Sequence, residues 1–402
     1  MIDRNRNQVT RRELLRSTVV GAAAGGLGPL AAGVWAAESA TSRPAIPGLP
    51  AGVLGRTKYP VTRISFGAIR ISDRLGTRIL KAAIDAGINL VHTAANYVGG
   101  KSMRAVGDLF KADRSYRDKV FLCVKSYHPE NEGEIDGLLE KLNTDHADVQ
   151  LTELHEADRK RMERILATQM ELKRQGKIRH TGFVCHGDMN AVIEMVLKHA
   201  PTAFDVALVS TAMLPTSRDR TGKSGTTEMR ARFLENLRAL RARDVGILSM
   251  KSGAKDALEK GAAVFQPHAK AVLEAGADSV LTSISTVDQV ALIRSLDLRL
   301  PSPAPAGRRA AAFDAERSGA CLMCASCRRA CPQGVPVNDL MRIRMYHDEY
   351  GWPDHALSEF RAIVPDARSL AARCTGCSAC AAACPAGCAS AAAVQRIAAM
   401  FA

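Results

Sequence analysis

Ile64-Ser65-Phe66-Gly67-Ala68, then the amphipathic run 77–86, then Leu90-Val91-His92-Thr93-Ala94 read as strand, helix and strand. The alternation continues outward from there. Short β-branched or apolar runs return at 120–126, 148–154, 180–185, 205–211, 246–251 and 279–284, with helix-like segments at 103–111, 134–142, 159–175, 189–199 and 263–275 between them. Eight βα units over residues 52–300 predict an α/β fold, a (β/α)8 TIM barrel whose chemistry sits at the C-terminal ends of its strands. An open doubly wound sheet is the alternative, but no G-x-G-x-x-G follows the first strand. The Pro/Ala/Arg-rich stretch 301–319 reads as a linker to a second domain, 320–402.

With 402 residues, 47% of them hydrophobic and 24% charged, the chain can bury a substantial core. Its net charge of +14 raises the question of nucleic acid, yet aromatics are only 4% and no basic–aromatic interleaving or helix-turn-helix pattern is present, so no nucleic-acid partner is expected. The basic side chains fall largely on solvated helix faces such as 228–243. A basic surface would also suit an acidic electron-transfer partner or anionic lipids.

All cysteines but Cys123 and Cys185 lie between Cys321 and Cys388. Cys321, Cys324, Cys327 and Cys331 are followed by Pro332, and Cys374, Cys377, Cys380 and Cys384 by Pro385, so C-x2-C-x2-C-x3-C-P is written twice. Three thiolates on one short loop can hold three corners of a 4Fe-4S cube, while the fourth is carried toward a neighbouring cluster. Zinc would more often take two C-x2-C pairs a dozen or more residues apart, and disulfides are the remaining alternative. If ligation crosses, one cluster takes Cys321, Cys324, Cys327 and Cys384, the other Cys374, Cys377, Cys380 and Cys331. The long interval between the two sets holds helix-like stretches at 337–346 and 356–363, and resembles α-helical ferredoxin domains of membrane-associated redox complexes. Cys123, Cys185 and Cys388 read as small buried hydrophobes.

At the other end, Thr10-Arg11-Arg12-Glu13-Leu14-Leu15-Arg16 precedes an Ala/Gly-rich apolar run ending near Val34-Trp35-Ala36. Residues 1–37 thus resemble a twin-arginine signal peptide, which implies recognition by the twin-arginine translocation machinery and a periplasmic location. An uncleaved membrane anchor is the competing reading, although glycines and alanines make a poor span. The two ends agree, because this route exports proteins already folded around a cofactor.

Gly52-Val53-Leu54-Gly55-Arg56-Thr57, Val61-Thr62-Arg63-Ile64-Ser65-Phe66-Gly67, Asp85-Ala86-Gly87-Ile88-Asn89, Thr93-Ala94-Ala95-Asn96-Tyr97 and Gly176-Lys177-Ile178-Arg179 resemble segments of the aldo-keto reductase family. The resemblance spans about residues 52–298 and implies carbonyl reduction by a nicotinamide hydride with a tyrosine as proton donor. Carried over by motif, the acid is Tyr97, the cation that makes its phenol more acidic is Lys125, and the imidazole that orients the carbonyl is His155.

Departures from the family pattern accompany the matches. The family aspartate is replaced by His92, which leaves Lys125 without its usual counter-charge; His92 either fills the site or retunes the proton relay. At positions where the family contacts the nicotinamide cofactor stand Val184, Leu208 and Thr211, with Lys251, Ser283 and Gln289 completing the candidate cofactor-binding set. No arginine or lysine lies in 283–289 to pair with a 2′-phosphate, so NADP(H) is a candidate with few matching contacts. The sequence therefore predicts an exported oxidoreductase in which two 4Fe-4S clusters couple to conversion of a small carbonyl or alcohol, with a redox partner protein or a membrane electron donor or acceptor. Two alternatives stay open: a non-catalytic electron carrier or accessory subunit built on a degenerate barrel, and a conventional NADPH-dependent carbonyl reductase with structural clusters.

Overall fold

The computed structural model describes residues 48–127, 132–214, 224–300, 321–364 and 366–401. The expected signal segment 1–37 and linker 301–319 lie outside the described residues. An antiparallel hairpin, β1 (Ala51–Val53) and β2 (Pro60–Thr62), precedes eight parallel strands. These are β3 (Ile64–Gly67), β4 (Leu90–Ala94), β5 (Phe121–Ser126), β6 (Ala147–Glu153), β7 (Ile178–Cys185), β8 (Val206–Ser210), β9 (Gly246–Met250) and β10 (Ser279–Ser283). They pair in chain order, and β10 closes on both β9 and β3, so the sheet is the closed barrel that the alternating runs predict.

The strands are buried on both faces, as a parallel sheet covered by helices requires, with polar side chains such as Asp148, Gln150 and Thr152 buried among the apolar ones. One set of side chains, including Leu90, Val149, Leu151, Val184, Val206, Leu208 and Leu248, fills the barrel interior. The opposite set packs against the helices around it. The helices begin where short polar side chains cap them: Asp73, Asp158 and Asp188 accept from backbone N–H groups of the first turn, and Thr286 with Gln289 forms a reciprocal capping box.

Beyond the barrel the chain is helical. The helix Val337–Arg344 runs into a π-helical turn, Met345–Glu349, followed by Pro353–Ile363 with proline in its first turn. The last helix, Ser390–Phe401, packs on Val337–Arg344 and Ala367–Arg373. This region rests on the barrel mouth and shares one continuous apolar core with the outer barrel layer. Among the described residues, no helix is long and apolar enough to cross a membrane.

Candidate active site

Residues at or just beyond the C-terminal ends of β3, β4, β7, β9 and β10 surround a cavity of about 70 Å³. Its walls include His92, Tyr97, His186, Lys251, Thr282 and Ser283 from the barrel, and its roof is Tyr350 and Trp352 from the helical region. At ~15 Å³ per water on this measure, the space suits a molecule of only a few heavy atoms. The roof is held by polar ties: Lys251 Nζ donates to Tyr346 Oη at 2.6 Å, Ser358 Oγ to the Asn96 carbonyl at 3.4 Å, and Arg328 pairs with Glu156 at 2.5 Å. Asn96 also donates to Glu359, Arg329 pairs with Asp188, and the Arg70 guanidinium lies 5.3 Å from the Trp352 ring centre.

The counter-charge that His92 cannot give Lys125 comes from another strand. Lys125, 1% exposed, donates to Glu153 Oε1 at 2.9 Å, so the expectation of a lysine without a counter-charge is corrected by the last residue of β6. Burial alone would raise the Glu153 carboxyl, but Lys125, His155 and His186 hold it well below the usual carboxylate range. A second buried group lies in the roof, where Arg342 pairs with Glu359 and, at 3.3 Å, with Asp339. Burial again opposes ionisation of Glu359, and Arg342 and Lys125 overcome it, holding the carboxyl at about 2.

Tyr97 lies with its ring 5.7 Å from His92, 5.5 Å from His355 and 5.6 Å from Lys125 Nζ. The family resemblance implies a phenol made more acidic by the cation. Here burial, reinforced by Tyr346, Glu359 and Glu153, raises it well above 10, and the phenol stays protonated.

His155 departs from its expected role as the orienting imidazole. Its Nε2 meets Glu153 Oε2 at 2.9 Å, and its Nδ1 accepts the backbone N–H of His186 at 3.3 Å, so both ring nitrogens are engaged away from the cavity. The imidazoles that line the cavity are His92 and His186, and sequence reasoning missed His186 although it directly follows Cys185 at the end of β7. A Cβ at Gly187 would lie 2.1 Å from the His155 carbonyl oxygen, which shows how closely this loop is drawn onto His155. Glu153, His155 and His186 present donor atoms within 4.8 Å of one another. Lys125 already pairs with Glu153, and the hydrogen bond at His155 Nδ1 leaves its proton on Nε2 for Glu153, so those two are hydrogen-bonded to each other while His186 Nδ1 has no such partner among the described residues.

His92 is buried and neither ring nitrogen has a hydrogen-bond partner among the described residues; the same holds for His355 and for His186 Nδ1. Burial, with Lys125 and Lys251 nearby, lowers His92 to about 3, so it faces the cavity as a neutral ring.

The residues proposed for the cofactor divide. Lys251 and Ser283 line the cavity. Val184 and Leu208 are instead wholly buried in the barrel interior, because strand alternation turns them inward. Thr211 is buried with Oγ1 2.7 Å from Ser249 Oγ, and the Gln289 side chain accepts from the Ser285 and Thr286 N–H groups as a helix cap. At the end of β8, Ser210 Oγ donates to Met323 Sδ at 3.6 Å, so a residue of the helical region covers the strand end. Val184, Leu208, Thr211 and Gln289 therefore offer no contact to a nicotinamide.

Cys321, Cys324, Cys327 and Cys384 line one small pocket, and Cys331, Cys374, Cys377 and Cys380 line another. Each pocket thus gathers three cysteines of one motif and the last of the other, with otherwise largely apolar walls, a donor set that fits an iron–sulfur cube. Met323, which touches Ser210, lies between two cysteines of the first set. Cys123 is buried in the barrel interior, Cys185 between the barrel and its helices, and Cys388 is buried too, lining the first pocket, where its N–H donates to Cys384 Sγ at 3.2 Å.

Residues 63–240 match the model of the Aldo/keto reductase family, and residues 320–389 match a 4Fe-4S dicluster domain. The methylglyoxal reductase YeaE of Escherichia coli (strain K12) is 37% identical over 109 residues, which is 26% of this chain and 36% of the relative. The chain thus spans about a third of that curated relative's length. Among solved structures, the aldo-keto reductase AKR11C1 from Bacillus halodurans (holo form) is 18% identical, covering 61% of this chain and 90% of its own with a TM-score of 0.49. An aldo/keto reductase from Brucella melitensis is 17% identical, covering 62% and 93% with a TM-score of 0.46.

Proposed function

We propose that this chain, an aldo/keto reductase domain carrying a 4Fe-4S dicluster domain, is an exported oxidoreductase that interconverts a small carbonyl and its alcohol. In this reading Cys321, Cys324, Cys327 and Cys384 hold one 4Fe-4S cluster and Cys331, Cys374, Cys377 and Cys380 the other, supplying one-electron transfer when bound. The observation that carries it is the contact of Met323 with Ser210, which sets the first cysteine pocket against the barrel mouth.

The chain's own residues fit the rest. The cavity, roofed on one side by Tyr350 and Trp352, suits a substrate of a few heavy atoms. The conversion takes two electrons, passed one at a time when the clusters are bound, and two protons: Tyr97, its phenol kept protonated by burial, supplies the one to the carbonyl oxygen, water entering at the cavity mouth supplies the one to carbon, and His186 and His92 offer neutral rings to position the substrate. Glu153 holds Lys125 beside Tyr97 and so fixes the local charge. The twin-arginine motif at Arg11 and Arg12 supports periplasmic action with a redox partner protein or a membrane donor or acceptor. The fourfold test is spectroscopic. Cluster-loaded protein, purified anaerobically, is given NADH, NADPH, dithionite or no reductant, and its visible absorbance is followed. Bleaching by dithionite and not by either nucleotide is the expected result; rapid bleaching by NADPH with tight nucleotide binding would replace this reading with a nicotinamide-dependent one.

A further inference from the structure

The site's least explained residue is Lys251. It follows β9, with φ 56° in the left-handed region that non-glycine residues seldom occupy, so the fold holds its side chain in place at some conformational cost. Its stem leads Nζ to the cavity, 2.6 Å from Tyr346 Oη and 4.0 Å from the centre of the Tyr346 ring. The π-helical turn Met345–Glu349 is what carries Tyr346 to that point. Among the described residues Lys251 forms no ion pair, unlike Lys125 on the other side of the mouth.

We propose that Lys251 is a carbonyl-capturing amine, its Nζ condensing reversibly with a small aldehyde or ketone in the mouth cavity to give an imine and water. In the first half, the Nζ lone pair forms the C–N bond, the C=O π bond breaks, and a proton moves from nitrogen to oxygen to give a carbinolamine. In the second, the C–O bond breaks, the oxygen leaves with a second proton as water, and C=N forms. Nothing is oxidised or reduced. The Tyr346 hydroxyl, in contact with Nζ, is placed to relay both protons.

The surroundings favour this chemistry. A nucleophilic lysine must be neutral, and desolvation or a neighbouring cation achieves that. Burial together with Arg342 and Lys125 outweighs the attraction of Glu359, and the Lys251 ammonium is lowered well below its ordinary range. The carbonyl also finds unspent polar groups: Thr282 Oγ1 and both His92 ring nitrogens are buried without partners among the described residues. The competing explanation is that Lys251 merely ties the helical region to the barrel through Tyr346.

Reductive trapping separates the two. The full cluster-loaded chain is incubated with propanal and sodium cyanoborohydride at neutral pH, which converts a protonated imine to a stable propyl-lysine, and labelled positions are mapped by peptide mass spectrometry. Lys251 is expected to label at least ~10-fold faster than exposed lysines such as Lys58 and Lys81, since an ordinary lysine is almost wholly protonated at that pH. Tyr346→Phe, which keeps the packed ring, should slow labelling at Lys251 and leave Lys58 and Lys81 unchanged. Labelling of Lys251 no faster than those lysines, or a rate indifferent to Tyr346→Phe, would overturn the proposal. Trapping draws no electrons from the cysteine-bound groups, so its outcome is independent of the redox reading above.

Discussion

Glu153→Gln probes the charge arrangement that the departure at position 92 makes necessary. Lys125 Nζ is 1% exposed as a residue and 2.9 Å from Glu153 Oε1, while Glu153 Oε2 receives His155 Nε2 at the same distance. Removing one partner of a buried pair costs ~3–5 kcal/mol, because the remaining charge is left uncompensated. Glutamine keeps an acceptor for Lys125, which places the expected loss near the lower bound, about 3 kcal/mol. His92→Asp should behave oppositely in the two backgrounds. Alone, it adds a second carboxylate to a buried site whose cation is already paired, and should destabilise by ~1–3 kcal/mol. Combined with Glu153→Gln, it returns a counter-charge from the neighbouring strand, whose position 92 already feels Lys125, and should recover about half of the loss. The assay is anaerobic guanidinium denaturation of the cluster-loaded proteins at neutral pH, followed by far-ultraviolet circular dichroism and compared at constant slope. A Glu153→Gln midpoint matching the parent, or a His92→Asp effect of the same sign in both backgrounds, would refute the reasoning.

Acid should weaken the fold before its carboxylates titrate. His92 and His355 are held at about 3 by burial, below the ordinary 6.5, so the unfolded chain takes up protons first and stability falls as the pH drops from 6.5 toward 3. At pH 5 each histidine should cost ~2 kcal/mol, from 1.36 kcal/mol per pH unit, and His92→Leu should remove its share; a denaturation midpoint unchanged between pH 7 and 5 would defeat this. Glu359, held at about 2 against the usual 4.5, adds a loss in the same direction as the pH falls below 4.5. Crossed ligation predicts that Cys384→Ala and Cys321→Ala erase the same paramagnetic signal, and Cys331→Ala and Cys374→Ala the other; a signal shared by Cys384→Ala and Cys374→Ala instead would exclude crossing. Gly187→Ala should cost ~1–3 kcal/mol by overpacking, since its Cβ would collide with the His155 carbonyl, and unchanged thermal stability would show that the loop yields freely.

The barrel was legible because its signal is local: each apolar run of the sequence became a strand within a residue or two, and helix 189–199 kept its bounds as Met189–His199. The cysteine pockets were legible for a similar reason, since spacing within each motif restricts which sulfurs can meet. Glu153 was not, because pairing it with Lys125 requires the lateral order of strands that only the closed barrel supplies. Nor could spacing show that Val184 and Leu208 turn into the interior, since resemblance to a polar contact position does not fix which face a side chain takes in this barrel. The roof was least legible of all. Residues 337–346 read as one helix, but the chain switches to a π-helical turn at Met345 that brings Tyr346 to Lys251, and that switch has no mark in the local sequence.

That the cysteine-bound groups and the barrel cavity share one electron path is tested most directly by reoxidation. Cluster-loaded protein, reduced anaerobically with one equivalent of dithionite and freed of excess, is mixed with small aldehydes and ketones such as propanal while visible absorbance and product alcohol are followed together. Recovery of absorbance matched by alcohol, and lost in Tyr97→Phe, is the predicted result; clusters that stay reduced in the presence of every carbonyl would contradict it.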